Sequence, residues 1–237
     1  MQLVVGDGRI AIGGALTQIS RHRHASAAVV VGLDAPLRLV ANASHVATVA
    51  MIAPGFAHAL DVRGRIAVFL LPVHAISSAD LAPVQDIACA STWRELGEAV
   101  SRGELDDFAI VDRAVRRASV DAMPLDDRLQ RALHAVGTAL DENLSVERIA
   151  EAAGLSPSRL MALSRAQLGA SLRGYRRWIR TFEVARRYAG GASLTEAAFD
   201  AGFASSAHLA TTSRAIFGIR PSQVLSPDSR GSIRVVG

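Results

Sequence analysis

The sequence contains no lysine: all 26 of its basic residues are arginine. Alanine is abundant, so this fits a coding bias as well as any functional demand, and by itself it says nothing about a partner. Cysteine occurs once, at Cys89, which excludes an internal disulfide or a multi-cysteine zinc site. A lone cysteine behaves by default as a small buried hydrophobe. No apolar run approaches membrane-spanning length. The opening MQLVVGDGRI lacks the basic segment, clean apolar stretch and small-residue cleavage site of a secretory signal. A soluble cytoplasmic protein with no membrane partner is expected. Catalytic signatures are missing too: there is no GxSxG, no P-loop and no HExxH, and the glycines of GDGRIAIGG lack dinucleotide-binding spacing. The expectation is a non-enzyme, with no catalytic residue, metal ligand or cofactor assigned.

What is present describes a folded chain. Half of the 237 residues are hydrophobic and a fifth are charged, enough for two modest domains with real cores. Charge is unevenly placed: residues 1–124 carry 11 Arg against 12 Asp plus Glu, and residues 125–237 carry 15 against 10. Arg159, Arg165, Arg173, Arg176, Arg177, Arg180, Arg186 and Arg187 share a stretch in which Glu183 is the only acid, a pattern that suits a polyanion. From residue 1 to about 90 the apolar runs (AVVVGL, TVAMIA, RIAVFLLPV) are short and β-branched, separated by Gly, Pro, Asp and Asn, and read as strands of an antiparallel sandwich or barrel. From Thr92 the spacing turns helical, with Trp93, Leu96 and Val100, then Phe108, Val111 and Val115. Pro124 interrupts the pattern, and a fresh amphipathic helix opens with Leu125, Leu129, Leu133, Val136 and Leu140. The domain boundary is placed there, giving domains at 1–120 and 125–225.

The second domain contains an internal repeat. Residues 144–169 read LSVERIAEAAGLSPSRLMALSRAQLG and residues 193–218 read SLTEAAFDAGFASSAHLATTSRAIFG. Ser145, Ala150, Ala153 and Gly154 match Ser193, Ala198, Ala201 and Gly202. After one extra residue in the second turn, Leu160, Ser164, Arg165, Ala166 and Gly169 match Leu209, Ser213, Arg214, Ala215 and Gly218. Ser193 with Glu196 predicts a capping box, Ser156 and Ser205 predict N-caps, and Pro157 suits a first helical turn. Gly154 and Gly202 end the first helices where a left-handed residue reverses the chain. The small alanines let the helices cross closely, so each copy is a helix-turn-helix. The intervening LRGYRRWIRTFEVARRYA predicts a spacer helix with Leu172, Tyr175, Ile179, Phe182 and Ala185 on its buried face and most arginines outside.

On RIAEAAGLSPSRL, RRWIR, LTEAAFDAGFASSAHL and FGIRPS at 217–222, the chain resembles the AraC/XylS family of bacterial regulators over about residues 125–225. The resemblance implies two recognition helices, at about 158–168 and 206–217, laid into successive major-groove segments about 34 Å apart. Carried onto this sequence, the DNA-facing positions are Ser158, Met161 and Ala162, with Ser206, Ala207, Ala210 and Thr211; Arg159, Arg165, His208 and Arg214 are further candidates. Small side chains there favour thymine-methyl contacts and indirect readout over bidentate base pairing. The family usually has Phe where this chain has Ser164 and Ser213, and often Leu where it has Thr181. An uncompensated loss of that size is worth on the order of 3–5 kcal/mol per aromatic, so DNA binding is expected to be weak, or to need a dimer or a ligand.

The resemblance also implies a cupin-like barrel in front. HRH at 22–24 and PGFAH at 54–58 loosely match cupin motifs, but no Glu follows the paired histidines, where Ala27, Ala28 and Val29 stand. His22, His24 and His58 are therefore read as lining a ligand pocket without metal, with Val29, Val31, Leu39, Val49, Met51, Ile66 and Val68 as apolar walls if they point inward. The leading expectation is a sequence-specific transcription regulator, an activator among the readings, that binds double-stranded DNA and a small-molecule effector, pairs as a homodimer and contacts RNA polymerase. Two alternatives stay open: a metal-dependent cupin enzyme using the three histidines, and a degenerate regulator acting by heterodimerisation.

Overall fold

The structure, a computed structural model, describes residues 2–6, 9–16, 18–71, 84–86, 125–140, 144–225 and 233–235, with isolated positions between 95 and 111. Ten strands come first: β1 (Gln2–Gly6), β2 (Arg9–Ala15), β3 (Gln18–His22), β4 (Ala28–Gly32), β5 (Leu37–Val40), β6 (Ser44–Ala47), β7 (Val49–Ile52), β8 (His58–Asp61), β9 (Arg65–Leu70) and β10 (Val84–Asp86). With β11 (Ile233–Val235) they form a seven-stranded sheet, ordered β10-β7-β4-β9-β2-β1-β11, and a four-stranded sheet, ordered β3-β8-β5-β6. All pairings are antiparallel except β11, which adds to β1 in parallel. Nothing in the sequence patterning had marked that C-terminal strand; it is three residues long and draws its register from β1.

Period-two alternation decides what each strand faces. Leu3, Val5, Ile10, Ile12, Val30, Ile52, Ile66 and Leu70 of the large sheet turn inward to meet Ile19, Leu37, Leu39 and Leu60 of the small one. Val4, Val29, Val31, Val49, Met51 and Phe69 fill the opposite face and pack with Phe108 and Val111. Of the walls expected for a barrel pocket, then, Leu39 and Ile66 belong to the interior and Val68 packs against it, whereas Val29, Val31, Val49 and Met51 belong to the outer layer. Phe108 and Val111 are buried within this chain. Trp93, Leu96, Val100 and Val115, like Cys89, lie outside the described residues.

The helices are α1 (Asp127–Thr138), α2 (Val146–Ala153), α3 (Pro157–Leu168), α4 (Leu172–Ala189), α5 (Leu194–Asp200) and α6 (Ser206–Phe217), followed by a 3-10 turn at Pro221–Gln223. The expected stops and starts are present. Ser145, Ser156 and Ser205 cap α2, α3 and α6, Ser193 and Glu196 close a capping box on α5, and Pro157 opens α3. Gly154 and Gly202 adopt φ of +67° and +80° at the two turns. Among the described residues no helix is long and apolar enough to cross a membrane.

The spacer α4 differs from expectation in its centre. Leu172 and Ala185 are buried as expected, but Tyr175, Ile179 and Phe182 are only half-buried, and the deepest side chain is Trp178, flanked by Thr181, Val184 and Tyr188. A helix in contact with α1, with both helices of the second repeat unit and with barrel strands β1 and β11 buries a wider arc than one amphipathic stripe. The barrel interior and the helical core form one continuous apolar cluster.

Candidate nucleic-acid interface and the cleft behind it

Each repeat folds as a helix, a tight turn and an N-capped second helix. α3 presents Ser158, Arg159, Met161, Ala162 and Arg165 to solvent, and α6 presents Ser206, Ala207, His208, Thr211 and Arg214, with Ala210 half-buried. Two of these have other local roles. His208 accepts a 3.4 Å bond from the Ala204 N–H through Nδ1 and packs edge-on against Phe203, which draws it toward the turn. Arg165, in the last turn of α3, lines a cleft that faces the barrel.

The arginine-rich stretch separates into two populations. Arg180 donates to the carbonyls of Leu140 and Gly202, and Arg176 donates to that of Leu144, tying helix ends together across α4. Arg186 and Arg187 pair with Glu183, and Arg187 also reaches Asp200. The exposed Arg159, Arg165 and Arg173 and the half-buried Arg177 remain to face an anion. Charge counting in the sequence could not make this division, because carbonyl acceptors at helix ends carry no residue signature.

Ser164 and Ser213 are both buried, where an aromatic was expected. Ser164 donates its hydroxyl to the Ala170 carbonyl at 3.0 Å. Ser213 and Thr181 instead border a cavity of about 50 Å³ roofed by Leu3, Ile10 and Ile12 of the barrel.

The barrel is joined to the ends of both recognition helices. The backbone N–H of Ser20 donates to Gly218 O at 3.0 Å and that of Arg23 to Ala215 O at 3.2 Å, fixing the end of α6 along β3. Gly55 lies so close to Gly169, the cap of α3, that a Cβ on it would come within 2.0 Å of the Gly169 carbonyl oxygen. Between these contacts opens a cleft of about 720 Å³ bordered by Arg21, Arg23, Arg165 and Arg177, with no acidic residue in its lining.

His22, His24 and His58 meet at the edge of this junction. β3 and β8 pair His22 with His58, and a register shift after Ile19 turns both Ser20 and Arg21 outward so that His22 points in. Ring centroids lie 4.3 to 5.6 Å apart. Each Nδ1 is bonded to a nearby carbonyl: Ser20 for His22, Ser26 for His24 and Phe56 for His58. Burial lowers all three pKa values, His22 to about 4 and His24 well below its usual value, with His58's positive form opposing the charge on both. The cavity that all three border inside the barrel holds only about 20 Å³, room for one water rather than an organic molecule. His22 and His24 also border the larger cleft.

A family model described as a helix-turn-helix domain matches residues 149–226. No curated protein sequence matches the chain. Among solved structures, whole-chain similarity is to ToxT of Vibrio cholerae. An apo variant from strain SCE256 has a TM-score of 0.69 at 14% identity, covering 93% of this chain and 98% of that one. Wild-type ToxT with a bound unsaturated fatty acid gives 0.65 at 15% identity, covering 92% and 94%. ToxT bound to (E)-4-(8-methylnaphthalen-1-yl)but-3-enoic acid gives 0.67 at 12% identity, covering 92% and 98%. At such identities the likeness establishes the fold, a cupin-like barrel in front of a double helix-turn-helix domain. The repeat, the caps and the family match fall in one stretch of the chain, and residues 149–226 are a helix-turn-helix domain.

Proposed function

We propose that the chain is an AraC-type DNA-binding transcription regulator whose affinity for DNA is set by an organic anion bound in the cleft between barrel and helical domain. The observation that carries the reading is the lining: four arginines and no acid around about 720 Å³, a size suited to a small-molecule site. Two solved ToxT structures contain carboxylic acids, which supports a carboxylate as the recognised group, since guanidinium pairs with carboxylate in a bidentate fork. A ligand wedged there touches the end of α3 through Arg165 and Gly169 and the end of α6 through Ala215 and Ile216. It shifts the DNA equilibrium to the extent that it favours one placement of those helices.

In this reading the DNA contacts are made by Ser158, Arg159, Met161, Ala162, Ser206, Ala207, Thr211 and Arg214, with Arg165 shared between DNA and cleft and His208 and Ala210 as supporting positions. The domains divide as 1–120 and 125–225. The protein acts without catalysis in the bacterial cytoplasm, as a homodimer, with RNA polymerase as a further partner; the family resemblance supports these points. The test is selection of bound sequences from random DNA by the full-length protein, then titration of the selected site at several salt concentrations, with and without oleate. A defined two-segment site whose affinity falls by about 0.9 log units per phosphate contact per log unit of salt, and changes with oleate, supports the reading. No enriched sequence defeats the DNA assignment; an oleate-independent affinity defeats the fatty-acid version of the cleft ligand.

A further inference from the structure

We propose that Arg180 is a positioning residue for DNA recognition: it fixes the separation of the two recognition helices, and with it the separation of the two DNA segments that the protein accepts. This rests on the DNA-binding reading above and adds to it the device that sets the spacing. The Arg180 side chain leaves α4 half-buried, and its fork reaches in two directions. Nη2 donates to the Leu140 carbonyl at 2.9 Å, just past the end of α1, and Nη1 donates to the Gly202 carbonyl at 3.2 Å, in the turn between α5 and α6. One guanidinium thus holds the helix that supports the first repeat unit and the turn of the second.

The two units do not lean on α4 in the same way. Both helices of the second unit, α5 and α6, pack on α4 directly, whereas α2 and α3 pack on α1, which in turn meets α4. The first unit is therefore placed largely through α1, and polar ties across the α1–α4 contact set its angle. Arg176, one turn before Arg180 on the same face of α4, donates to the Leu144 carbonyl at 2.6 Å, immediately before the Ser145 cap of α2. That bond reaches the first unit alone; the fork of Arg180 reaches both.

The turn of the second unit is shaped to receive the group. A Cβ on Gly202 would lie 3.0 Å from Arg180 Cζ, so the guanidinium rests against bare backbone. A planar fork spans two carbonyl acceptors in fixed directions, which a lysine ammonium, a single point of charge, does not. Bonds from a charged donor are also stronger than neutral ones. One inserted base pair moves two DNA segments apart by about 3.4 Å and turns one against the other by about 34°. A joint that yields accepts spacings that a stiff joint refuses.

The geometry is read first without DNA, in the full-length protein. Nitroxides at Met161→Cys on α3 and Thr211→Cys on α6, with Cys89→Ser removing the native thiol, report the distance between the recognition helices by double electron–electron resonance. A narrow distribution that broadens in Arg180→Lys and in Arg180→Gln is expected. The same distribution in all three overturns the tie, and the Lys variant, which keeps the charge, decides it where the Gln variant does not fold. Spacing is then read on the best two-segment site selected from a random pool, with one base pair added or removed between the segments. The wild type should lose about tenfold in affinity on either change and Arg180→Lys about threefold, while Val184→Ala, which weakens the buried core on the same helix, keeps the wild-type ratio. Equal ratios in the wild type and Arg180→Lys overturn the role in spacing, and a ratio that relaxes as far in Val184→Ala reduces Arg180 to a structural residue. Absence of any two-segment site in the wild type defeats the DNA reading, and the helix-to-helix distance then decides the tie alone.

Discussion

The two helix-turn-helix units share one local pattern and are held by different neighbours. In the first, α3 leans on α1, where the side chain of Gln167 accepts the backbone N–H of Asp126; its contact with the barrel comes at the Gly55–Gly169 approach. In the second, α6 is hydrogen bonded along β3 and packed over Leu3, Ile10 and Ile12. The same pattern of caps, small residues and glycines is thus anchored to its own domain in one copy and to the barrel in the other. A repeated code of caps, small residues and glycines specifies the shape of the unit, whereas neighbours contributed from elsewhere in the chain determine how firmly it is placed. A signal originating in the barrel reaches the second unit through backbone hydrogen bonds and the first through a backbone close approach.

Glycine substitutions test that asymmetry most severely. Gly218 has φ of +71°, and a Cβ there would lie 2.3 Å from Ser20 O, 2.5 Å from Ile19 Cγ2 and 2.8 Å from His22 Nδ1. Gly154 has φ of +67° with nothing within 4 Å of its Cβ position. Gly154→Ala should cost about 1–2 kcal/mol, the left-handed backbone strain alone. Gly218→Ala should cost about 3–4 kcal/mol, because overpacking against β3 adds to that strain. Urea unfolding of the two variants measures the difference, and equal losses would show that α6 is not seated on the barrel.

The junction of the barrel with the helical domain should also be pH-sensitive. His22 titrates near 4 in the folded protein against 6.5 ordinarily, and His24 and His58 are shifted the same way. Between those values the unfolded chain takes up protons that the folded chain refuses. The stability associated with neutral burial is therefore fully present above about pH 6.5 and declines as pH falls toward 4, by at most about 1.4 kcal/mol per pH unit for each histidine. Protein unfolded in urea at several values from about pH 7.5 to 5 should show this decline, and His22→Gln should reduce it.

What was legible in the sequence follows the same division. Ser156, Ser193, Ser205, Pro157 and Gly154 do their work within a few residues of themselves, so their roles could be read from spacing and were found in place. The meeting of His22 with His58 was foreshadowed only by the two short motifs, because it depends on a strand pairing and a register shift. The arginine-lined cleft could not be foreseen, since Arg21 and Arg23 stand more than 140 positions from Arg165. Trp178 was passed over for the opposite reason: a single stripe describes a helix with one buried side, and α4 is covered by several partners.

The two kinds of arginine offer a milder comparison. Arg180→Ala removes donors to the Gly202 and Leu140 carbonyls and should destabilise the protein by about 1–3 kcal/mol, leaving the salt dependence of DNA binding near that of the wild type. Arg159→Ala, on the exposed face of α3, should leave stability unchanged and lower the salt slope by about one. Denaturation and salt titration of both variants decide whether the basic stretch is divided between structure and DNA as the geometry indicates.

The smallest expected effects come from the paired serines. Ser213 borders the cavity of about 50 Å³ beneath the barrel, whose lining is almost wholly apolar. Ser213→Val exchanges a hydroxyl for apolar volume in available space and should stabilise the protein by about 0.5–1 kcal/mol. At the matching position of the first unit, Ser164→Val withdraws the bond to the Ala170 carbonyl and should destabilise by about 1–2 kcal/mol. Opposite signs at equivalent positions of one repeat, read as shifts in urea midpoint, would show unfilled apolar space beside the serine of the second unit and a compensating hydrogen bond to the following loop in the first. A gain at both positions would mean that the first unit, too, has unfilled space, and that its packing does not differ from that of its twin in the way the Ser164 hydrogen bond indicates.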